Sequence, residues 1–121
     1  MRLDISIVFI EATILETLVL HELRAAIAYR NCGGDIYHWR TSGGSEIDFI
    51  WQRGPHAIAI EVKNSPIWRS DFGKAMRPLL KEKKLSRGFV IYRGKHPTID
   101  DGVEGLPIEL FLTQLWNGDI V

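Results

Sequence analysis

The stretch at residues 58–65, IAIEVKNS, constrains this chain more than any other. Ile58, Ala59, Ile60 and Val62 read as a strand buried on both faces, yet Glu61 and Lys63 are set into it. Burying a carboxylate or an ammonium is costly unless it is paired or bound to a metal. The fold therefore has to bring partners to this strand.

Side chains two apart on a strand share a face. Ala59, Glu61 and Lys63 fall on one face, and Ile58, Ile60 and Val62 on the other. Residues 46–52 (EIDFIWQ) form the preceding strand, with Ile47 and Phe49 on one side and Glu46 and Asp48 on the other. The turn at 53–56 is of hairpin length, so pairing of the two strands brings Asp48 and Glu61 close on one face. Adjacent carboxylates repel, and each resists ionising. A divalent cation removes that conflict. Mg²⁺ prefers oxygen ligands, takes one or two carboxylates and keeps waters for the substrate. A lysine two residues beyond a ligand can then contact attacking water or a phosphate oxygen. Such a set fits phosphodiester hydrolysis. On the first helix, Glu16 lies at the margin of the apolar arc and Glu22 inside it, and either can add a third carboxylate. In the competing structural reading, Glu22 pairs with an arginine and Glu16 extends outward.

Residues 11–30 have the periodicity of a helix, with Leu15, Leu18, Val19, Leu23 and Ala26 on one arc and a stop at Asn31-Cys32-Gly33-Gly34. Residues 35–41 are rich in strand formers, and the Gly43-Gly44 turn separates them from 46–52. A helix is expected from Ser70 to about Leu85, with Gly73 and Pro78 disturbing its first turns. Residues 87–93 give a fourth strand, 96–105 a loop, and 107–116 a last helix with Pro107 in its first turn. The expected order is α-β-β-β-α-β-α. With 121 residues, 45% of them hydrophobic, the whole of 1–121 fits one domain with one core.

No apolar run is long enough to span a bilayer. Asp4 and Glu11 interrupt any basic-then-apolar leader pattern, which points to a cytoplasmic protein. The single cysteine, Cys32, cannot form an internal disulfide, and no Cys/His cluster suggests zinc.

Taken in order, the helical Glu16, Trp39-Arg40, Glu46-x-Asp48 and Glu61-Val62-Lys63 resemble the PD-(D/E)XK nuclease superfamily. More closely, LETLVLHEL, HWRTSGGSEIDFIW and AIEVKNS resemble the DUF4143 domain, over about residues 14–116. The resemblance implies an α/β fold with a restriction-endonuclease-like αβββαβ core, a central mixed sheet flanked by helices, and an extra C-terminal helix. It also implies metal ligation by Asp48 and Glu61 with help from the Val62 carbonyl, a catalytic Lys63, and Glu16 as the helical acid, with Glu22 as the alternative. The implied cofactor is Mg²⁺ or Mn²⁺, and the implied activity is DNA hydrolysis. The other reading is a catalytically inactive regulatory or DNA-binding module working with a P-loop ATPase. No GxxxxGK[ST] phosphate loop occurs, so such an ATPase would not reside in these residues. A homodimer is also an expected assembly.

Charge is unevenly spread. The chain has fifteen basic and fifteen acidic residues, yet residues 62–97 hold ten of the former and two of the latter. Lys74, Arg77, Lys81 and Lys84 have helical spacing and are expected on one face, where they would meet DNA phosphates or simply solvent. Arg40 and Arg69 lie near the candidate site in sequence and are expected to join them in binding DNA. The four histidines lack metal-ligand spacing, and packing is the expected role of most of the tryptophans.

Overall fold

The apolar run at 56–62 becomes the strand around which the rest of the chain is laid. The computed structural model describes the backbone of residues 5–121 and the side chains from residue 11 onward. Asp4, used above in reading the N-terminus, lies outside them. The elements are α1 (Ile5–Tyr29), β1 (Asp35–Arg40), β2 (Glu46–Arg53), β3 (His56–Val62), α2 (Arg77–Lys81), β4 (Arg87–Tyr92), β5 (Thr98–Asp100), β6 (Val103–Pro107) and α3 (Ile108–Asn117). The strands form one open mixed sheet in the order β1-β2-β3-β4-β6-β5. The first three strands make an antiparallel meander, β3, β4 and β6 run parallel, and β5 closes the far edge antiparallel to β6.

Both sheet faces are covered, and differently. On one face, Val19 and Leu23 of α1 and Phe111 and Leu115 of α3 pack on Phe49, Ile58, Ile60, Phe89 and Ile91. Full burial of each large side chain contributes roughly 1.5–3 kcal/mol. On the other face, Phe72, Met76 and Leu85 pack on Ala57, Ala59, Val90 and Val103. Small residues let this second layer sit close. A Cβ at Gly88 would stand 2.5 Å from the Met76 sulfur.

Two expected elements differ. The helix expected over 70–85 shrinks to α2, five residues long. Gly73 adopts φ +77 and Lys83 φ +61, so turns bound the helical segment on both sides. Pro78 is tolerated because it lies in the first turn, where its missing N–H is needed by no helical partner. The loop expected over 96–105 contains β5 and β6. Asp101 (φ 50) and Gly102 (φ 84) form the two-residue turn that joins them, the positive-φ pair favoured in tight hairpins. Pro107 stands just before α3 as its N-cap, with φ −55 and ψ 144, rather than inside it.

Candidate functional site

The carboxyl end of β3 is strapped to β4. Glu61 pairs with Val90 and Val62 with Ile91. The Lys63 amide then donates to the Ile91 carbonyl at 2.8 Å, and the Arg93 amide to the Ser65 carbonyl at 2.9 Å. Arg93 also donates a side-chain hydrogen bond to Asn64 at 3.1 Å. The charged half of the EVKNS stretch is thus held by main-chain bonds, which fixes where its side chains leave the sheet.

On the other side of β3 the ladder to β2 opens. The last paired residues are Phe49 and Ile60. Across β1, Tyr37 faces Ile50 while Trp39 faces Ile47, so β2 carries one extra residue at this point. The bulge breaks the alternation expected for 46–52. Ile47 packs in the layer with Met76, whereas Phe49 packs in the layer with α1, so they do not share a side. Asp48 is set free of the ladder and uses its carboxylate instead. Its Oδ2 accepts the Val62 amide at 2.7 Å. His38 Nδ1 lies 3.1 Å from the Asp48 carbonyl and secures the bulge from the β1 side.

Glu61, only 8% exposed, is the one buried charged residue among those described. Its Oε2 accepts the Gly73 amide at 3.3 Å. Gly73 is required there: its φ is positive, and a Cβ would stand 3.0 Å from both methyls of Val103. Lys63 follows on the same face, with Nζ 5.7 Å from the centre of the Phe72 ring. This face is the one opposite α1, the helix that carries Glu16. Asp48 stands at the opening of the ladder, and its charge is felt by Glu61 on one side and by Glu16 on the other.

All three acids hold their protons more tightly than usual. For Asp48 the main cause is burial, opposed by the Val62 amide and by Lys63. Burial also dominates at Glu61, with Lys63 opposing and Asp48 adding to the rise. At Glu16 burial comes first and Asp48 second. Desolvation, more than mutual repulsion, raises these pKa values.

A cleft of about 390 Å³ gathers Asp48, Glu61, Val62 and Lys63 with Glu46, Asp71, Lys74 and the Gly43-Gly44-Ser45 turn. Glu16 does not line it. Glu22 accepts a hydrogen bond from Trp116 Nε1 at 2.8 Å, which ties it to α3. Arg40 pairs with Glu46 at 2.7 Å and Arg69 with Asp71 at 3.6 Å, each beside the cleft's own acids. Lys74, Arg77, Lys81 and Lys84 do not share one helical face, because only 77–81 is helical. Lys74 reaches the cleft, Lys84 pairs with Glu82 at 3.2 Å, and Arg77 turns toward Asp100. Sequence marks Gly73 only as a glycine that disturbs the expected helix, which is the signal for its positive φ but not for its bond to Glu61, and nothing in the sequence announces the His38 contact.

Among the described residues, no three His, Cys, Asp or Glu side chains come together as a metal-ligand group. No helix among them is long and apolar enough to cross a membrane.

The family model described as "Domain of unknown function (DUF4143)" matches residues 12–111. An uncharacterized protein of Mycobacterium tuberculosis and one of Mycobacterium bovis are each 27% identical over 99 residues, covering 81% of this chain and 21% of theirs. The chain thus spans about a fifth of the length of these curated relatives. No solved structure matches it.

Proposed function

The chain belongs to the DUF4143 family, and from that premise we propose that it is a metal-dependent nuclease domain of the PD-(D/E)XK type that hydrolyses DNA phosphodiesters. The order α1-β1-β2-β3-α2-β4 follows the αβββαβ core of that superfamily, to which a hairpin strand and α3 are added. The reading is carried by one observation: Asp48, Glu61 and Lys63 open into one cleft, and each acid has one oxygen anchored by a main-chain amide.

The donor set suits Mg²⁺ or Mn²⁺. Two carboxylates and the Val62 carbonyl are hard oxygen donors, and Mg²⁺ is commonly held by one or two carboxylates. The raised proton affinity of both acids supports the same fit, since a cation would relieve their desolvation. Held by Asp48, Glu61 and the Val62 carbonyl, such an ion would supply Lewis-acid chemistry toward a phosphate oxygen and water.

The protein's own residues do the rest. The Val62 amide fixes Asp48, and the Gly73 amide fixes Glu61, so neither carboxylate has to be ordered when substrate arrives. Lys63 supplies a cation that orients the attacking water or meets a phosphate oxygen. Glu16 adds an acid on the α1 side of Asp48. Lys74, Arg77 and Lys81 at the cleft and beside it supply positive charge toward a DNA backbone, with Arg40, Arg69 and Lys84 exchanging their partners Glu46, Asp71 and Glu82 for phosphates.

A second reading, a non-catalytic module working with a P-loop ATPase, draws support from the relatives, of whose length this chain spans about a fifth. Plasmid nicking and branched-DNA cutting with Mg²⁺ or Mn²⁺ separate the two. Cleavage that vanishes in Glu61→Ala supports the nuclease. Wild type that never cuts, with or without an ATPase partner, supports the module.

A further inference from the structure

A second cleft lies beside the acidic one, and Lys74 lines both. It measures about 640 Å³ and is lined by Lys74, Arg77, Pro78, Leu80, Lys81, Asp101 and Gly102. Its chemistry centres on Arg77, whose side chain is 18% exposed. Two of its donors, Nε and Nη2, are buried and make no hydrogen bond. Asp100 Oδ2 stands 3.6 Å from Nη2, and Asp101 Oδ2 3.9 Å from Nε. At those separations the contacts are ion pairs without hydrogen bonds. A buried guanidinium N–H without an acceptor is costly.

Neither aspartate is placed to improve on this. Asp100 Oδ2 already accepts the indole N–H of Trp68 at 2.9 Å. Asp101 is 83% exposed and sits at positive φ in the β5–β6 turn, so its carboxylate is free to turn to solvent. With Asp101 turned away, an oxyanion in the cleft would give Arg77 the acceptors it lacks. Lys74 and Lys81 flank it with further charge, and guanidinium geometry matches two phosphate oxygens at once.

We propose that the cleft formed by Arg77, Lys74, Lys81 and the Asp101-Gly102 turn is a phosphate-binding subsite. It would hold a backbone phosphate of the nucleic acid whose neighbouring phosphodiester lies in the Asp48–Glu61 cleft. Asp101 occupies Arg77 in the free protein and yields it to the phosphate. Identifying the phosphate as that of a nucleic acid rests on the function proposed above. The anion site itself does not.

The test uses the full chain and two probes. Inorganic phosphate is titrated at constant ionic strength, with backbone amide NMR signals of Lys81 and Gly102 as the readout. Duplex and branched oligonucleotides are titrated in parallel. Saturable phosphate shifts are expected in wild type and absent in Arg77→Gln. Lys81→Ala, on the exposed side, weakens them and guards against misfolding of the Arg77 variant. Asp101→Ala strengthens phosphate binding about threefold, the scale of one exposed charge. For DNA, Arg77→Gln should flatten the log–log salt dependence by roughly 0.9. Phosphate shifts without DNA binding would keep the anion site and reject the nucleic-acid source. DNA binding with no phosphate shifts, and with no response to Asp101→Ala or Lys81→Ala, would overturn the subsite and leave the nuclease reading standing.

Discussion

Glu61→Gln weighs the buried charge directly. The side chain is 8% exposed, and one of its oxygens accepts the Gly73 amide at 3.3 Å. Glutamine keeps the length and the acceptor and removes the charge. In the unfolded chain a glutamate loses its proton near pH ~4.3. In the folded chain it loses it later, because burial outweighs the attraction of Lys63. Between those two points the folded state binds more protons than the unfolded state, so wild-type stability falls as pH rises. For one carboxyl the fall cannot exceed about 1.4 kcal/mol per pH unit. The glutamine variant has no such loss at this position. Its advantage over wild type should be small near the unfolded pKa, grow through the window, and then stay constant. Asp48 and Glu16 titrate in both proteins and largely cancel. For a domain of this size, about 1 kcal/mol shifts melting by roughly 3–6 °C. The assay is thermal unfolding by circular dichroism in chelator, from about pH 4 to about pH 8. Adding Mg²⁺ at ten times its Kd should stabilise wild type by about 1.4 kcal/mol and the variant by much less. A variant less stable than wild type at neutral pH, or an offset that ignores pH, would refute the reasoning.

Asp48→Asn should fold normally, since it can still accept the Val62 amide, and should lose the Mg²⁺-dependent gain in melting temperature. Asp48→Ala leaves that amide without its acceptor and should lower stability by about 1–3 kcal/mol in urea unfolding. Gly73→Ala should lower it by a similar ~1–3 kcal/mol, because alanine there combines positive φ with a tight contact on Val103. Lys63→Ala should bind Mg²⁺ at least as well as wild type by calorimetry, since a competing cation is gone, yet lose plasmid nicking. Retained nicking in that variant would remove Lys63 from the chemistry.

Four strands were legible because their signals are strong and local. Residues 35–41, 46–52, 57–63 and 87–93 are apolar or alternating runs bounded by glycine, asparagine or proline, and β1–β4 match them within a residue. The β5–β6 hairpin was hidden. Thr98–Asp100 is three residues long, and Val103–Pro107 contains glutamate, glycine and proline, so only Asp101-Gly102 marks the pair. The site was legible in membership but not in geometry. Glu61 and Lys63 share a face as their spacing requires. The face of Asp48 depends on one extra residue in β2, and a bulge leaves no trace in periodicity when its neighbours are apolar on both sides. The second amide anchor comes from Gly73, twelve residues beyond Glu61, and depends on a tertiary approach that no local pattern encodes.

The strap that fixes the end of β3 also bears on the order of folding. The β1-β2-β3 meander closes through short turns and can pair early. The Glu61–Val90 and Val62–Ile91 pairs close a loop of nearly thirty residues, and the loop-closure entropy is spent before those contacts reward it. Asp48 can therefore join the Val62 amide within the hairpin, whereas Lys63 gains its main-chain partner only once β4 docks. The charged end of β3 would then be among the last parts to mature, and pulse-labelled hydrogen exchange should protect the Trp51 amide before that of Lys63.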